Sequence, residues 1–274
     1  MNTGTCLCGT VRYEIDGPFS LMMHCHCSMC RKHHGAPFAT FVAAPLEGYR
    51  WISGEDRTRT YASSLVGQRY FCSICGSVTP MLMEAMQLAI LPAGNLQGDL
   101  GLKPSAHMFT ASKAPWYTIT DSLPQYPAFP PEFEGASAVE RPATQAPAGI
   151  VAGSCLCGDV AFEITGRPER FAYCFCSRCR RARSAAHAAN LFYELDGFRF
   201  TRGEEQVVDY QLSEAQYFGT AFCARCGSMV PRRSTKRGLV VVPAGCLDVD
   251  PGARPMMQLC VDSKASWVEI ADPN

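Results

Sequence analysis

Seven cysteines occur twice in this chain, in the same order and at nearly the same spacing. The first set is Cys6, Cys8, Cys25, Cys27, Cys30, Cys72 and Cys75, and the second is Cys155, Cys157, Cys174, Cys176, Cys179, Cys223 and Cys226. The first five pairs are 149 residues apart and the last two are 151 apart, which indicates a small insertion between Cys179 and Cys223. The repeat therefore predicts two copies of one domain.

The chain of 274 residues is long enough for two small domains with modest cores. We predict copy one at residues 1–131, a linker at 132–149 and copy two at 150–274. The segment between the copies, PPEFEGASAVERPATQAPAG, is rich in proline and alanine and has no apolar periodicity, which is typical of a semi-extended linker. We therefore expect the two copies to move as separate bodies.

The charge balance excludes several classes of function. The chain carries 25 Lys and Arg against 25 Asp and Glu, so no global field recruits nucleic acid or an anionic membrane. No apolar run is long enough to cross a bilayer, and the first residues lack a signal-peptide pattern. We expect a cytoplasmic protein, in which the sixteen cysteines stay reduced and serve as metal ligands rather than disulfides. The oligomeric state stays open.

Short alternating segments predict that each copy is mainly β. VRYEI, VAFEI, FRFT, VVDYQL and LAIL have the length and alternation of strands and are separated by Gly and Pro turns. No window shows a long helical period.

The outer cysteine pairs of each copy are each followed by a glycine. Cys-Leu-Cys precedes Gly9 and Gly158, and Cys-x-x-Cys precedes Gly76 and Gly227. A glycine adopts a left-handed backbone at little cost, so a tight turn can direct two sulfurs at one ion. A closed set of four thiolates is typical of structural zinc. The predicted ligands are Cys6, Cys8, Cys72 and Cys75 in copy one and Cys155, Cys157, Cys223 and Cys226 in copy two.

Three cysteines remain in each copy. They are Cys25, Cys27 and Cys30 in CHCSMC, and Cys174, Cys176 and Cys179 in CFCSRC. Three protein ligands leave a fourth position for water or substrate, as in catalytic zinc sites, whereas an iron–sulfur cluster prefers four thiolates at spacings that are absent here. Two alternatives stay open for the triplets: a second structural zinc completed by a nearby histidine, and an empty cluster of reduced thiols.

The motifs CLCG, CHCSMCRKHHG, RYFCSICGS and SKAPW follow one another in copy one, and copy two repeats much of this set. With them the chain resembles the glutathione-dependent formaldehyde-activating enzyme family, whose domain also occurs in the chromatin protein CENP-V. The resemblance covers nearly the whole chain, twice. It implies a mainly β fold with two tandem copies of a small zinc-bearing antiparallel β domain, related to the Mss4-like or β-tent folds.

The resemblance also implies an activity. Family members are described as condensing glutathione with formaldehyde to S-(hydroxymethyl)glutathione, a carbon–sulfur lyase reaction in reverse. The implied cofactor is zinc, up to four ions per chain, two structural and two with an open position. The implied partners are a small thiol such as glutathione and a small aldehyde, with no nucleic acid and no membrane.

The surroundings of the two triplets differ. The replacements from copy one to copy two are His26 by Phe175, His33 by Ala182, His34 by Arg183, Arg69 by Thr220 and His107 by Gln258. We therefore expect copy one to be the reactive half and copy two to be a structural or regulatory partner.

Some other residues are weaker candidates. His26 and His107 are candidate catalytic groups because imidazole titrates near neutral pH, with surface exposure or hydrogen bonding as the alternative. Arg31 and Lys113 are candidate contacts for an anionic substrate. Lys113 is the stronger candidate because the whole SKAPW motif recurs, whereas a charge such as that of Arg31 more often faces solvent. The tryptophans of SKAPW and SKASW are expected in the core. Cys246 and Cys260 have no counterparts and are expected to be small buried apolar residues.

A second class of function stays open: a non-catalytic zinc module that binds a protein or chromatin partner. A triplet with an open position favours the enzyme. A triplet closed by His107 or another side chain favours the module.

Overall fold

The computed structural model describes residues 1–65, 67–133 and 145–270. Copy one contains the strands β1 Asn2–Thr5, β2 Arg12–Ile15, β3 Leu21–Cys25, β4 Ala39–Pro45, β5 Tyr49–Ser53, β6 Thr58–Ala62, β7 Gln68–Cys72, β8 Met81–Met83, β9 Leu88–Pro92 and β10 His107–Met108, and the helix α1 Ser28–His34. Most of the predicted linker lies outside the described residues.

Copy two repeats this order with one additional short strand, β18. Its elements are β11 Ile150–Ser154, β12 Ala161–Thr165, β13 Arg170–Cys174, α2 Ser177–Arg183, β14 Ala188–Glu194, β15 Phe198–Arg202, β16 Val207–Gln211, β17 Gly219–Cys223, β18 Met229–Val230, β19 Arg232–Ser234, β20 Leu239–Pro243 and β21 Met257–Leu259. Single 3-10 turns lie at Leu46–Gly48, Glu55–Arg57, Glu84–Met86, Ala93–Asn95, Thr110–Ser112, Pro131–Phe133, Leu195–Gly197, Glu204–Gln206, Thr235–Arg237, Ala244–Cys246 and Val261–Ser263.

The prediction of a mainly β chain is confirmed. Each copy has a three-stranded antiparallel sheet, β1-β2-β5 or β11-β12-β15, and a five-stranded sheet, β10-β3-β4-β9-β8 or β19-β20-β14-β13-β21. The five predicted strands are present within one residue or so of their expected ends. The short helices α1 and α2 were not predicted, because seven residues are too few to show a helical period. No helix among the described residues is long and apolar enough to span a membrane.

One strand pair in each copy is parallel. β10 runs parallel to β3, with His107 opposite His24 and Met108 opposite Cys25, and β21 runs parallel to β13 in the same way. The backbone N–H of His26 donates to the carbonyl of Met108 at 3.0 Å. A segment more than eighty residues away in sequence is thereby fixed beside the first cysteine of the triplet.

The two copies exchange core residues. Trp116 of copy one is 2% exposed and belongs to the hydrophobic core of copy two, where its ring centroid lies 5.4 Å from that of Phe171. Trp267 of copy two packs in the same way within the core of copy one. The prediction that both tryptophans are buried is confirmed, although each lies in the opposite copy.

The recurring lysine of SKAPW and SKASW holds this exchanged segment in shape. Lys113 Nζ donates to the carbonyl of Tyr117 at 2.6 Å, and Lys264 Nζ donates to the carbonyl of Val268 at 2.8 Å. Each bond closes the turn that presents the tryptophan. The recurrence of the motif therefore has a structural explanation, and the role of Lys113 in binding an anion stays a prediction.

The Pro-Ala-Gly turns form a second reciprocal contact. A Cβ on Gly94 of copy one would lie 2.2 Å from the backbone nitrogen of Ala185, just after α2, and a Cβ on Gly245 of copy two would lie 2.4 Å from that of Ala36, just after α1. Real Cβ contacts do not become this short, so a side chain at either glycine would force the copies apart. The expectation that the copies move as separate bodies is wrong, because shared cores and backbone contacts join them.

The two unaligned cysteines differ in environment. Cys246 is fully buried, as expected. The expectation that Cys260 is buried is wrong: the residue is exposed, with a left-handed backbone (φ 55°), at the end of the edge strand β21.

Candidate metal centres and active site

The structure brings the outer cysteine pairs of each copy together. The Sγ atoms of Cys6 and Cys8 are 3.4 Å apart, and those of Cys8 and Cys72 are 3.8 Å apart; Cys75 completes the group, with all four sulfurs within 4.8 Å of one another. The four knuckle glycines have φ between 70° and 82°. The matching group in copy two is Cys155, Cys157, Cys223 and Cys226.

These groups fit a zinc ion. Tetrahedral zinc with Zn–S bonds of about 2.3 Å separates its sulfurs by about 3.8 Å, and the observed Cys157–Cys223 separation is 3.7 Å. Cys72 and Cys75 are fully buried. Four sulfurs at this distance, with three of the four residues in each group buried, need a cation to hold them as thiolates.

The copy-one triplet is formed by the end of β3 and the start of α1. Cys25 is the last residue of the strand, Cys27 caps the helix by accepting the N–H of Cys30 on its sulfur at 3.3 Å, and Cys30 lies in the first turn. The three sulfurs lie within 4.8 Å of one another, and all three residues are buried. Hydrogen bonds with Cys27 and Cys30, followed by burial, raise the pKa of Cys25, whereas bonds from the other two sulfurs lower the pKa of Cys27. The triplet therefore also fits a cation.

No histidine or carboxylate among the described residues joins the three sulfurs of this triplet. His107, the candidate for a fourth ligand, is bonded elsewhere: its Nδ1 lies 2.8 Å from Nε2 of His26, and its Nε2 lies 3.0 Å from Oδ1 of Asp121. The carboxylate accepts from His107 Nε2–H, so Nδ1 of His107 accepts from His26. Within the described ranges, one face of the triplet consequently has no protein ligand.

The hydrogen bonds that join His26, His107 and Asp121 correct one alternative, the exposure of His26 to solvent. His26 is fully buried rather than solvent-facing, and burial together with His107 lowers its pKa to about 3. Asp121 was missed because an isolated aspartate in the segment after β10 has no local motif, and β10 had to be placed first. A catalytic role for His26 or His107 stays a prediction, and the structure shows both as buried hydrogen-bonding groups.

A basic side chain lies against the copy-one triplet. Arg69, from β7, donates from its guanidinium to Cys30 Sγ at 3.4 Å and to Ser63 Oγ at 3.2 Å. Burial alone would lower the pKa of Arg69, but the sulfurs of Cys30 and Cys27 raise this pKa above its ordinary value. The guanidinium thus offsets negative charge on the triplet.

The triplet opens onto a cavity of about 370 Å³, a size typical of small-molecule sites. Its walls come from β3, β4, β7, β8 and the segment after β10, and five methionines line it: Met23, Met29, Met81, Met83 and Met108. Arg69 is the one Arg, Lys, Asp or Glu side chain among the described residues that line it.

The copy-two triplet has the same backbone geometry and a different environment. Cys179 N donates to Cys176 Sγ at 3.4 Å, and the three sulfurs again lie within 4.8 Å. Cys174 and Cys176 are half-buried, however, and Thr220 stands in place of Arg69 and donates to the carbonyl of Cys75.

The remaining histidines of α1 join the copies or line the cavity. His34 Nδ1 lies 2.8 Å from the carbonyl oxygen of Arg183, and burial lowers its pKa to about 4. His33 lines the cavity beside the triplet. Arg31 is half-buried and its carbonyl ends α1; its contact with a substrate stays a prediction.

A buried histidine between the copies makes stability depend on pH. His187 lines an inter-copy cavity of about 290 Å³, and burial lowers its pKa from 6.5 to about 4. The folded chain keeps this imidazole neutral while the unfolded chain protonates it, so stability falls as pH drops from about 6.5 towards 4, by about 1.4 kcal/mol per pH unit.

We expect His187→Phe, which introduces the aromatic residue found at the equivalent Phe38, to reduce the stability lost between about pH 7 and pH 5 by about 2 kcal/mol. Urea unfolding of both proteins at the two pH values, with excess zinc, measures the difference. Equal losses in the two proteins would contradict the expectation.

Comparison with known proteins agrees with the cysteine pattern. The sequence model of the glutathione-dependent formaldehyde-activating enzyme family matches residues 1–112 and 150–263. A Halomonas elongata protein, which carries that enzyme's name provisionally, is 27% identical over 124 residues, 42% of this chain and 79% of the relative. An uncharacterized lyase of Schizosaccharomyces pombe is 30% identical over 74 residues, 27% of this chain and 52% of the relative.

A solved crystal structure of a Rhodobacter sphaeroides protein is 27% identical, with a TM-score of 0.31, and the match covers 38% of this chain and 97% of that one. The family match spans both cysteine sets and most of each copy. The chain therefore belongs to the glutathione-dependent formaldehyde-activating enzyme family and carries the family domain twice.

Proposed function

We propose that the chain is a zinc-dependent enzyme of the carbon–sulfur lyase type that forms and cleaves thiol–aldehyde adducts at the copy-one triplet. The family-type reaction joins glutathione and formaldehyde to S-(hydroxymethyl)glutathione. The observation that carries this proposal is the buried triplet of Cys25, Cys27 and Cys30, which has no fourth protein ligand among the described residues and faces a cavity.

The reaction needs no oxidant or reductant. The thiol sulfur forms a bond to the carbonyl carbon of the aldehyde, the carbon–oxygen double bond becomes single, and the thiol proton ends on the oxygen. Zinc held by the triplet would supply an open position for a thiol sulfur and favour its deprotonation.

The protein supplies charge and shape around this position. Arg69 lies beside Cys30 and offsets part of the negative charge of the sulfurs. The cavity walls are mainly apolar, and surroundings of low polarity strengthen the interaction between the guanidinium and a developing negative charge. The methionines provide an adaptable surface for the rest of the substrate.

The charges on the cavity walls bear on which thiol the site accepts as substrate. Glutathione carries two carboxylates, and the cavity offers one guanidinium that already contacts Cys30. Activity should therefore be measured with glutathione and with an uncharged thiol such as 2-mercaptoethanol, each with formaldehyde.

We expect Cys27→Ser to reduce catalysed exchange between thiol and formaldehyde roughly a hundredfold or more, because loss of a ligand should cost at least as much as loss of a supporting residue. The matched variant Cys176→Ser, at the equivalent position of copy two, should keep most of the activity. Exchange spectroscopy by NMR at equal protein and zinc concentrations measures both rates. A wild-type rate equal to the uncatalysed rate with both thiols would refute the proposed enzymatic activity.

The alternative, a non-catalytic zinc module, depended on a triplet closed by a side chain. His107 is bonded to His26 and Asp121 instead, which supports the enzyme for copy one. Copy two, with its altered surroundings, is the better candidate for a purely structural role.

A further inference from the structure

Two equivalent junctions join the copies, and one contains a buried ion pair. At the first junction, α1 packs against the turn Ala244–Cys246. Lys32 forms an ion pair there with Asp248, in which the two side chains are 10% and 11% exposed. Ser154 completes the site: its hydroxyl donates to Asp248 at 2.6 Å, and Lys32 donates to its carbonyl at 2.9 Å. The Lys32 ammonium and the Asp248 carboxylate are thus paired, whereas Nε of the neighbouring Arg31 has no hydrogen-bond acceptor among the described residues.

The second junction has the cation without the acid. There α2 packs against the turn Ala93–Asn95, and the repeat places Arg181 at the position of Lys32, Gln97 at that of Asp248 and Thr5 at that of Ser154. Thr5 donates its hydroxyl to the carbonyl of Cys6. An amide has therefore replaced the carboxylate that neutralises the first junction.

The second junction also contains a polar cavity of about 410 Å³. Three cationic residues line it, Arg180, Arg181 and Lys264, and no carboxylate is among the described residues that do. The nearby Asp99 accepts from Ser266 Oγ at 3.2 Å. It forms no ion pair with either arginine in the described part of the chain.

The side chains of these two arginines have no hydrogen-bond or ion-pair partner in the part of the chain that the structure describes. Their Nε atoms are buried and have no hydrogen-bond acceptor among the described residues. Adjacent guanidinium groups that are partly desolvated and unpaired are stabilised by an added anion, and their planar donor pairs match an oxyanion in two-point contact.

We propose that this junction cavity binds a small oxyanion, a carboxylate or a phosphate, held by Arg180 and Arg181 in the place that Asp248 occupies at the first junction. The site differs from the copy-one triplet and does not depend on the proposed enzymatic activity. The ligand joins α2 to the Ala93–Asn95 turn and so takes over the linking role of the protein carboxylate.

Calorimetric titration of the zinc-loaded full chain with inorganic phosphate and, separately, with succinate tests the proposal. We expect millimolar or tighter binding of at least one of them. Binding of phosphate alone identifies the ligand as a phosphate, and binding of succinate alone identifies it as a carboxylate.

The variant Gln97→Asp supplies the missing acid from within the chain. We expect it to weaken anion binding by about tenfold or more, with no loss of thermal stability in the absence of anion. Arg181→Gln should weaken binding to a similar degree. The control Arg178→Gln, on the exposed part of the same helix, should bind as the wild type does.

The proposal is overturned if neither anion binds at millimolar concentration, or if Gln97→Asp folds normally and binds the anion as tightly as the wild type. Equal weakening by Arg178→Gln would also overturn it, since the effect would then be general surface charge.

Discussion

Replacement of Cys72 by serine should remove one zinc ion and abolish cooperative folding of the whole chain at 37 °C. A structural zinc ion contributes on the order of 10 kcal/mol, which is as large as the total stability of a typical domain. Cys72 is fully buried in a cluster that also contains Ala182 and Leu212 of copy two. Loss of the ion from copy one should therefore loosen copy two as well.

Thermal unfolding followed by circular dichroism, with zinc counted by atomic emission, measures both effects. Cys260→Ser is the matched control, because Cys260 is exposed and belongs to none of the cysteine groups among the described residues. It should leave the zinc content and the melting temperature unchanged. A Cys72→Ser protein that melts at the wild-type temperature would show that the four-cysteine group does not stabilise the fold.

Trp116→Ala should lower the free energy of unfolding by about 3–5 kcal/mol, the usual cost of removing a large buried ring. Since this residue of copy one fills the core of copy two, the loss should appear in both copies as a single shifted transition. Denaturant unfolding monitored by the remaining tryptophan fluorescence and by circular dichroism tests whether the two signals shift together.

Ile52→Ala is the control for Trp116→Ala. Ile52 is 49% exposed, and its truncation should change stability by about 0.5 kcal/mol or less. Two separate transitions in the Trp116→Ala protein, with copy one unaffected, would contradict a shared core.

The local pattern of the sequence predicted the elements that depend on neighbouring residues. The knuckle glycines and the alternating strands each follow from a few consecutive residues, and the grouping of the cysteines into fours and threes follows from their repeated order; the structure contains all of them. Burial of Trp116 followed from its size and apolar character alone.

The relations between distant segments could not be predicted in this way. The parallel pairing of β10 with β3 brings His107 and then Asp121 to His26, yet a two-residue strand has almost no signature of its own. The contact of Gly94 with Ala185 depends on the partner surface, and a Pro-Ala-Gly turn does not indicate what packs on it. The composition of the linker suggested that the copies move independently. This expectation was wrong because the composition of a linker carries no information about the surfaces of the domains that it joins.

The reciprocal packing of Trp116 and Trp267 gives this single chain the approximate two-fold symmetry of a dimer, with two halves that differ in sequence. In a dimer of identical chains every substitution at the two-fold axis appears on both sides at once. Here His187 faces Phe38 across the axis, with ring centroids 5.8 Å apart, and each position can change alone. The residues around the copy-two triplet can therefore change while copy two continues to supply part of the inter-copy cavity wall, Trp267 and the turn Ala244–Cys246 to copy one.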